Sequence, residues 1–314
     1  MLLKNIRFFL IYTFCLLPVL LTPLTAAADQ TPLTPVKLTF AFVSRAFLGF
    51  NALDMETALK VFVRDLGRQW GFDVQTEVQR FENAQQLENI APANRPDLIL
   101  VDSWTYLDVT DGAWMEPLFV TSEEGDITNT YLLLTRGGKI KNVSELRGKP
   151  INVLTTTNAN LGIHWLSVYL RDHKMELPET FFGELTFSND PMQAILPVFF
   201  GKKDAVVTNS KQLKLMTELN PQLGKLVPLA VSAPLVNNII CLKRSGWKSE
   251  DFRQHLIQGL PDLHLAEMGS QILLLFRVQK LEKFTPSCLE SVRRMHKNLP
   301  LEVKNFLLQA HNPR

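Results

Sequence analysis

The run Thr155-Thr156-Thr157-Asn158-Ala159-Asn160 carries a hydroxyl or a carboxamide on five of its six residues, and all six are small. It follows the apolar stretch Ile151–Leu154 and precedes Leu161, Trp165 and Val168, which lie at helical spacing. Side-chain donors placed before a helix join the free backbone N–H groups of its first turn, and together they hold an oxyanion. An ordinary strand-to-helix turn needs one such residue as an N-cap. The surplus of donors therefore favours ligand contact.

Similar candidates stand where other apolar strands end. Ser44 and Arg45 follow the first strand; Ser103, Trp104 and Tyr106 follow Leu98–Val101; Thr208 and Asn209 follow Ala205–Val207. The arginine offers a counter-charge to an anion, and the aromatic pair offers stacking or a phenolic hydrogen bond. Asp190 before Pro191 is a further candidate, although it reads mainly as an N-cap followed by proline at the first helical position. Asp97 and Asp204 begin their strands and read as structural, as does His164 inside its helix.

No catalytic constellation accompanies these residues. The sequence has no Gly-x-Ser-x-Gly elbow, no glycine-rich lysine loop for phosphates and no His-Glu-x-x-His pair. The six histidines are scattered, so neither a metal site nor a cofactor is expected, and the chain does not read as an enzyme.

The elements that would position the candidates alternate between strand and helix. Lys37–Ser44 reads as a first strand, 54–69 as a helix with Met55, Leu59, Phe62 and Leu66 on one face, and Asp97–Val101 as a strand covered on both sides. The pattern restarts at Lys149–Leu154 and closes on Lys203–Val207, as two similar α/β lobes in one chain would. Residues 121–138 and 234–242 read as crossings between the lobes. The expected organisation is 29–135 for the first part of lobe I, 136–232 for lobe II, and 233–314 for the return to lobe I. The last part is read as helices at 250–260, 263–276, 287–296 and 301–309. In a fold of this type ligands lie outside the carboxyl ends of the strands, which is where every candidate named above except Asp190 falls.

The amino terminus speaks for export. Lys4 and Arg7 are the only charges before Asp29, Phe8–Leu21 is almost wholly apolar, and Thr25-Ala26-Ala27-Ala28 supplies small residues for cleavage near Ala28. Thr13 and Pro18 break the apolar run, which is shorter than the roughly 20 residues of a spanning helix. Removing 28 of the 314 residues leaves 286, with 31 basic residues against 31 acidic ones. A neutral chain has no electrostatic footprint for nucleic acid. Cys241 and Cys288 remain, as a disulfide or as two free thiols.

Several phrases together resemble a known family. They are Val143-Ser-Glu-Leu-Arg-Gly-Lys149 before a strand, Asp97 through Tyr106, Asn189-Asp190 followed by Gly201-Lys-Lys-Asp204-Ala205, and Ile272–Phe276 with Leu281 and Phe284. As a set they resemble type II periplasmic solute-binding proteins of the phosphate/phosphonate ABC-importer type, over nearly all of residues 37–298. The resemblance implies an α/β, two-lobed fold with two crossings, each lobe a mostly parallel sheet flanked by helices. It further implies a monomer that takes a small anionic ligand between its lobes and delivers it to an inner-membrane ABC permease. The alternative partner is a membrane sensor kinase or cyclase, on which the protein would dock as a ligand-sensing module. The sequence departs from the phosphonate pattern at two places. Asn158-Ala159-Asn160-Leu161 aligns with a Ser-Thr-Ser-Gly-like run, and Asn189 replaces a histidine.

Overall fold

The computed structural model describes residues 32–43, 51–109, 112–156, 161–297 and 299–309. Thirteen strands run through them: β1 Thr34–Val43, β2 Phe72–Phe81, β3 Leu98–Asp102, β4 Met115–Ser122, β5 Thr128–Asn129, β6 Tyr131–Arg136, β7 Pro150–Leu154, β8 Glu184–Ser188, β9 Ala205–Asn209, β10 Leu226–Val231, β11 Leu235–Val236, β12 Asn238–Lys243 and β13 Lys280–Lys283. They form two main sheets, ordered β13-β4-β12-β3-β1-β2 and β10-β6-β9-β7-β8, and a small ribbon of β5 with β11.

Both sheets are mixed, where the sequence led us to expect mostly parallel ones. Parallel pairing is confined to β1–β2, β1–β3, β7–β8 and β7–β9, each joined through helices. The strands on either side of the crossings return in the opposite sense, so β4, β12, β6 and β10 pair antiparallel. Strand β13 adds another antiparallel edge. Its sequence, Lys-Leu-Glu-Lys, holds a single apolar residue and gave no strand signal.

Local chemistry explains the helices that cover the sheets. Asn51 caps the helix Ala52–Gln69 by accepting from the amides of Leu53 and Asp54. Met55, Leu59 and Phe62 bury one face of that helix against the first sheet. Gly67 is the contact point, since a Cβ there would meet Val74 Cγ2 at 2.3 Å. In the second lobe, Asp190 caps the helix Pro191–Phe199 and Gly201 follows it at positive φ. Pro197 lies inside this helix and has no N–H for the carbonyl of Gln193. Asn152 Nδ2 fills the gap, reaching Ala194 O at 2.9 Å and Gln193 O at 3.4 Å.

Strand β6 belongs to the second sheet, so the chain changes sheets between Glu123 and Thr130, earlier than the expected 135. It returns between Ser232 and Asn237. The last two helices, Glu290–His296 and Leu301–Gln309, hold a second surprise. Val292, Met295, Leu299, Val303, Phe306 and Leu307 join the core of the second lobe, over the helix Gly162–Asp172. The helices at 52–69 and 250–275 already cover that face of the first sheet, which leaves the outer side of 162–172 as the apolar surface to bury.

Cys241 and Cys288 are both free thiols. Among the described residues, no helix is long and apolar enough to cross a membrane, and no group of His, Cys, Asp or Glu could hold a metal ion.

Candidate functional site

The two sheets present the same ends to the crossings. The last residue of β3, Asp102, pairs with Asn238, the first residue after the second crossing. The last residue of β9, Asn209, pairs with Tyr131, the first residue of β6 after the first crossing. The carboxyl ends of β3, β7 and β9 therefore come together where the lobes join, and the polar residues of the chain collect there.

On the second lobe, Thr156 and Thr208 are buried, and the Oγ1 of each has no hydrogen-bond partner among the described residues. Asn152 Oδ1 shares that condition. The parallel register Asn152↔Val206 places Asn152, Leu154, Val206 and Thr208 of the adjacent strands β7 and β9 on one face, and Thr156 lies two residues beyond the end of β7. Buried polar atoms are nearly always paired, which makes these three the candidates for contact with a ligand. The helix Gly162–Asp172 has no side-chain cap, and its start packs over Val207 and Tyr131, on the other face of the sheet from Asn152 and Thr208. A Cβ on Gly162 would lie 3.0 Å from Val207 Cγ1 and 3.4 Å from Tyr131, so a larger residue would have to push these side chains aside for the helix start to sit this close to the sheet.

The neighbouring candidates have structural bonds. Thr155 donates both its amide and its hydroxyl to Ser188 O, at 2.8 and 3.2 Å. Asn209 Oδ1 accepts from Gln212 N at 2.8 Å and so caps the helix Ser210–Leu219. Asp190 Oδ1 accepts from Met192 N at 2.7 Å.

On the first lobe, Ser103 is fully buried and its hydroxyl donates to Val236 O at 2.6 Å, in the second crossing. Trp104 is 2% exposed. Its ring lies 4.3 Å from that of His164, on the facing helix of the other lobe, and 5.0 Å from that of His296. His296 Nε2 in turn donates to Asp108 Oδ1 at 2.7 Å. Tyr106 packs instead on the opposite face of the first sheet, in the cluster that holds Cys241, and burial raises its phenol above the ordinary value. Asp102 uses Oδ1 to accept from Thr105 N. Ser44, Arg45, Thr157, Asn158 and Asn160 lie outside the described residues.

Sequence reasoning missed Tyr131, Asn237 and Asn129. Tyr131 is fully buried, and its hydroxyl donates to Asn237 Oδ1 at 2.8 Å while accepting from Leu161 N at 3.2 Å. Desolvation holds its phenol far above the usual tyrosine range. Asn129 Oδ1 is buried in the ribbon without a partner among the described residues. The available signal was asparagine, at 129, 237 and 238, inside segments otherwise patterned as strand.

A family model described as "ABC transporter, phosphonate, periplasmic substrate-binding protein" matches residues 47–289. No curated protein matches the sequence. Among solved structures, a Xanthomonas citri protein bound to ATP is 14% identical with a TM-score of 0.61, covering 88% of this chain and 100% of its own. A binding-protein component of an ABC phosphonate transporter from Pseudomonas aeruginosa is 14% identical with a TM-score of 0.56, over 88% of this chain and 94% of its own. A Prochlorococcus marinus protein in complex with methylphosphonate is 14% identical, also at 0.56, over 82% of this chain and 96% of its own.

Proposed function

This chain belongs to the periplasmic substrate-binding proteins of phosphonate ABC transporters, and we propose that it captures a small phosphorus oxyanion between its two lobes for an inner-membrane permease. The carrying observation is that Thr156 Oγ1 and Thr208 Oγ1, at the carboxyl ends of β7 and β9, are buried with no hydrogen-bond partner among the described residues, while the uncapped helix Gly162–Asp172 follows β7 in the chain. A tetrahedral oxyanion suits that set: it accepts from hydroxyls and from helix-start N–H groups at once, and the helix dipole favours its charge. Thr157, Asn158 and Asn160, which follow Thr156 in the sequence, are the further donors this reading assigns. Arg45, which follows β1 in the sequence, is the counter-charge this reading assigns.

Closure of the lobes about the two crossings would exclude water and strengthen each of these bonds. The ligands of the structural relatives, methylphosphonate in one and ATP in another, share a phosphorus oxyanion. The protein acts as a monomer, and residues 1–28 direct export and are removed after Ala28.

Calorimetric titration of the mature protein with methylphosphonate, inorganic phosphate, ATP and sulfate tests the reading. A heat of binding for at least one phosphorus ligand, lost in Thr156→Val, is expected. Silence from all four, or binding indifferent to Thr156, overturns it.

A further inference from the structure

One path of hydrogen bonds joins the two rims through the second crossing. Ser103, at the rim of the first lobe, donates its amide to Asn237 O at 2.7 Å. Asn237 Oδ1 accepts from the Tyr131 hydroxyl at 2.8 Å, and that hydroxyl accepts from Leu161 N at 3.2 Å, at the helix start on the second lobe. Two more bonds fix Tyr131 to the far end of the same crossing. Its amide donates to Ser232 Oγ and its carbonyl accepts from Ser232 N, both at 2.8 Å. Ser103 is doubly held as well, through its hydroxyl on Val236 O.

We propose that Tyr131 and Asn237 are positioning residues that hold the ligand-bearing helix start of the second lobe in register with the Ser103 rim of the first. The proposal rests on the reading that these rims grip the ligand. Its physical basis is that the Tyr131 hydroxyl donates to one segment and accepts from another. It lies in a dry environment, where each bond strengthens and neither partner can turn to water. Rotation of one lobe must then carry the Asn237 node with it or break the path. Loss at one end is felt at the other, and the effect is reciprocal.

Hydrogen–deuterium exchange of the full mature protein tests this without a ligand. Tyr131→Phe removes the shared hydroxyl and keeps the ring. The amides of Leu161 and Ser103 should both exchange about tenfold faster than in the wild type. The amide of Thr39, held at the other end of the first sheet by Asp97 Oδ2 at 2.8 Å, should be unchanged. Acceleration at Leu161 alone, or at all three amides equally, overturns the proposal, because the first is a local loss and the second a global one. Asn237→Ala removes the acceptor of the Tyr131 hydroxyl from the other side of the path and should release Leu161 by a comparable factor. It decides the matter in the same way if Tyr131→Phe does not fold. With methylphosphonate as probe, Tyr131→Phe should weaken binding about tenfold, mainly through faster release. If the wild type ignores methylphosphonate while the two amides remain coupled, the ligand reading fails and the positioning role stands.

Discussion

Replacing Thr208 by valine should move stability and ligand affinity in opposite directions. The two side chains have nearly the same shape, and Thr208 is fully buried with no partner for Oγ1 among the described residues. An unpaired buried hydroxyl costs about 1–3 kcal/mol. Valine removes that cost, so the ligand-free protein should become more stable by about this amount. At roughly 2–4 °C per kcal/mol for a chain of this size, the melting temperature should rise by roughly 2–12 °C. If the hydroxyl is kept for an oxyanion, the same substitution removes a bond from the complex and weakens binding by about 5- to 150-fold. Differential scanning calorimetry and titration with methylphosphonate read the two effects on one sample, and Thr208→Ser should restore binding. A lower melting temperature would mean that the hydroxyl is already satisfied, and the reasoning would fail at its first step. A higher one with unaltered affinity would place the ligand elsewhere.

Three further outcomes follow from other contacts. Asp97→Ala strips Lys243 of its ion pair, with side chains only 16% and 14% exposed, and takes the acceptor from Thr39 N. Chemical denaturation should show a loss of about 3–5 kcal/mol with methylphosphonate affinity unchanged, and a loss below about 1 kcal/mol would contradict the pairing. Gly162→Ala places a Cβ 3.0 Å from Val207 Cγ1 and 3.4 Å from Tyr131. It should cost about 1–3 kcal/mol and weaken binding by shifting the helix start, so wild-type affinity would show that this start does not touch the ligand. The third concerns alkaline pH. Burial raises the Tyr131 phenol and the Cys241 thiol above their ordinary values, so the unfolded chain releases these protons first. Stability is therefore complete below those ordinary values, near pH 9 for the thiol and about 10 for the phenol, and declines as pH rises through them. Melting curves should fall less steeply with pH in Tyr131→Phe and Cys241→Ala, and identical slopes would refute the assignment.

The fold was legible where a single local rule decided it. Asp190 with Pro191 announced a capped helix, the spacing of Met55, Leu59 and Phe62 announced a buried face, and the restart at Lys149 announced a second lobe. What failed to show were features fixed by distant partners. Strand β13 exists because β4 offers an open edge, and the helices after Leu289 settle on the second lobe because the helix Gly162–Asp172 has apolar surface left to cover. For the site, strand ends pointed to Thr156 and Thr208, whose open hydroxyls now support that proposal. The same rule nominated Ser103 and Tyr106, which the structure uses for a crossing bond and for packing. Strand-end position says where a side chain begins, and only the neighbours decide what it has left to offer. Tyr131 and Asn237 carried no motif, since their roles arise from a bond between residues 106 positions apart.

That distinction separates the two ends of the sheets. At the strand starts the charged groups are spent: Asp97 on Lys243 and Thr39, and Lys203 on Glu184 and Thr186 at 2.7 and 3.0 Å. Around the carboxyl ends of β7 and β9 and in the ribbon, Asn152, Thr156, Thr208 and Asn129 each keep a buried oxygen without a partner among the described residues. A chain selected for stability alone would fill the second set as it fills the first, because each open group costs free energy. Keeping them open is economical only if a partner arrives from outside the chain. The donor hydroxyls among them fit an oxyanion, and the same groups paired within the protein would leave it nothing to bind. On the proposed reading, binding capacity is stability withheld around the carboxyl ends of the second sheet, and the ion pairs at the strand starts offset part of that loss.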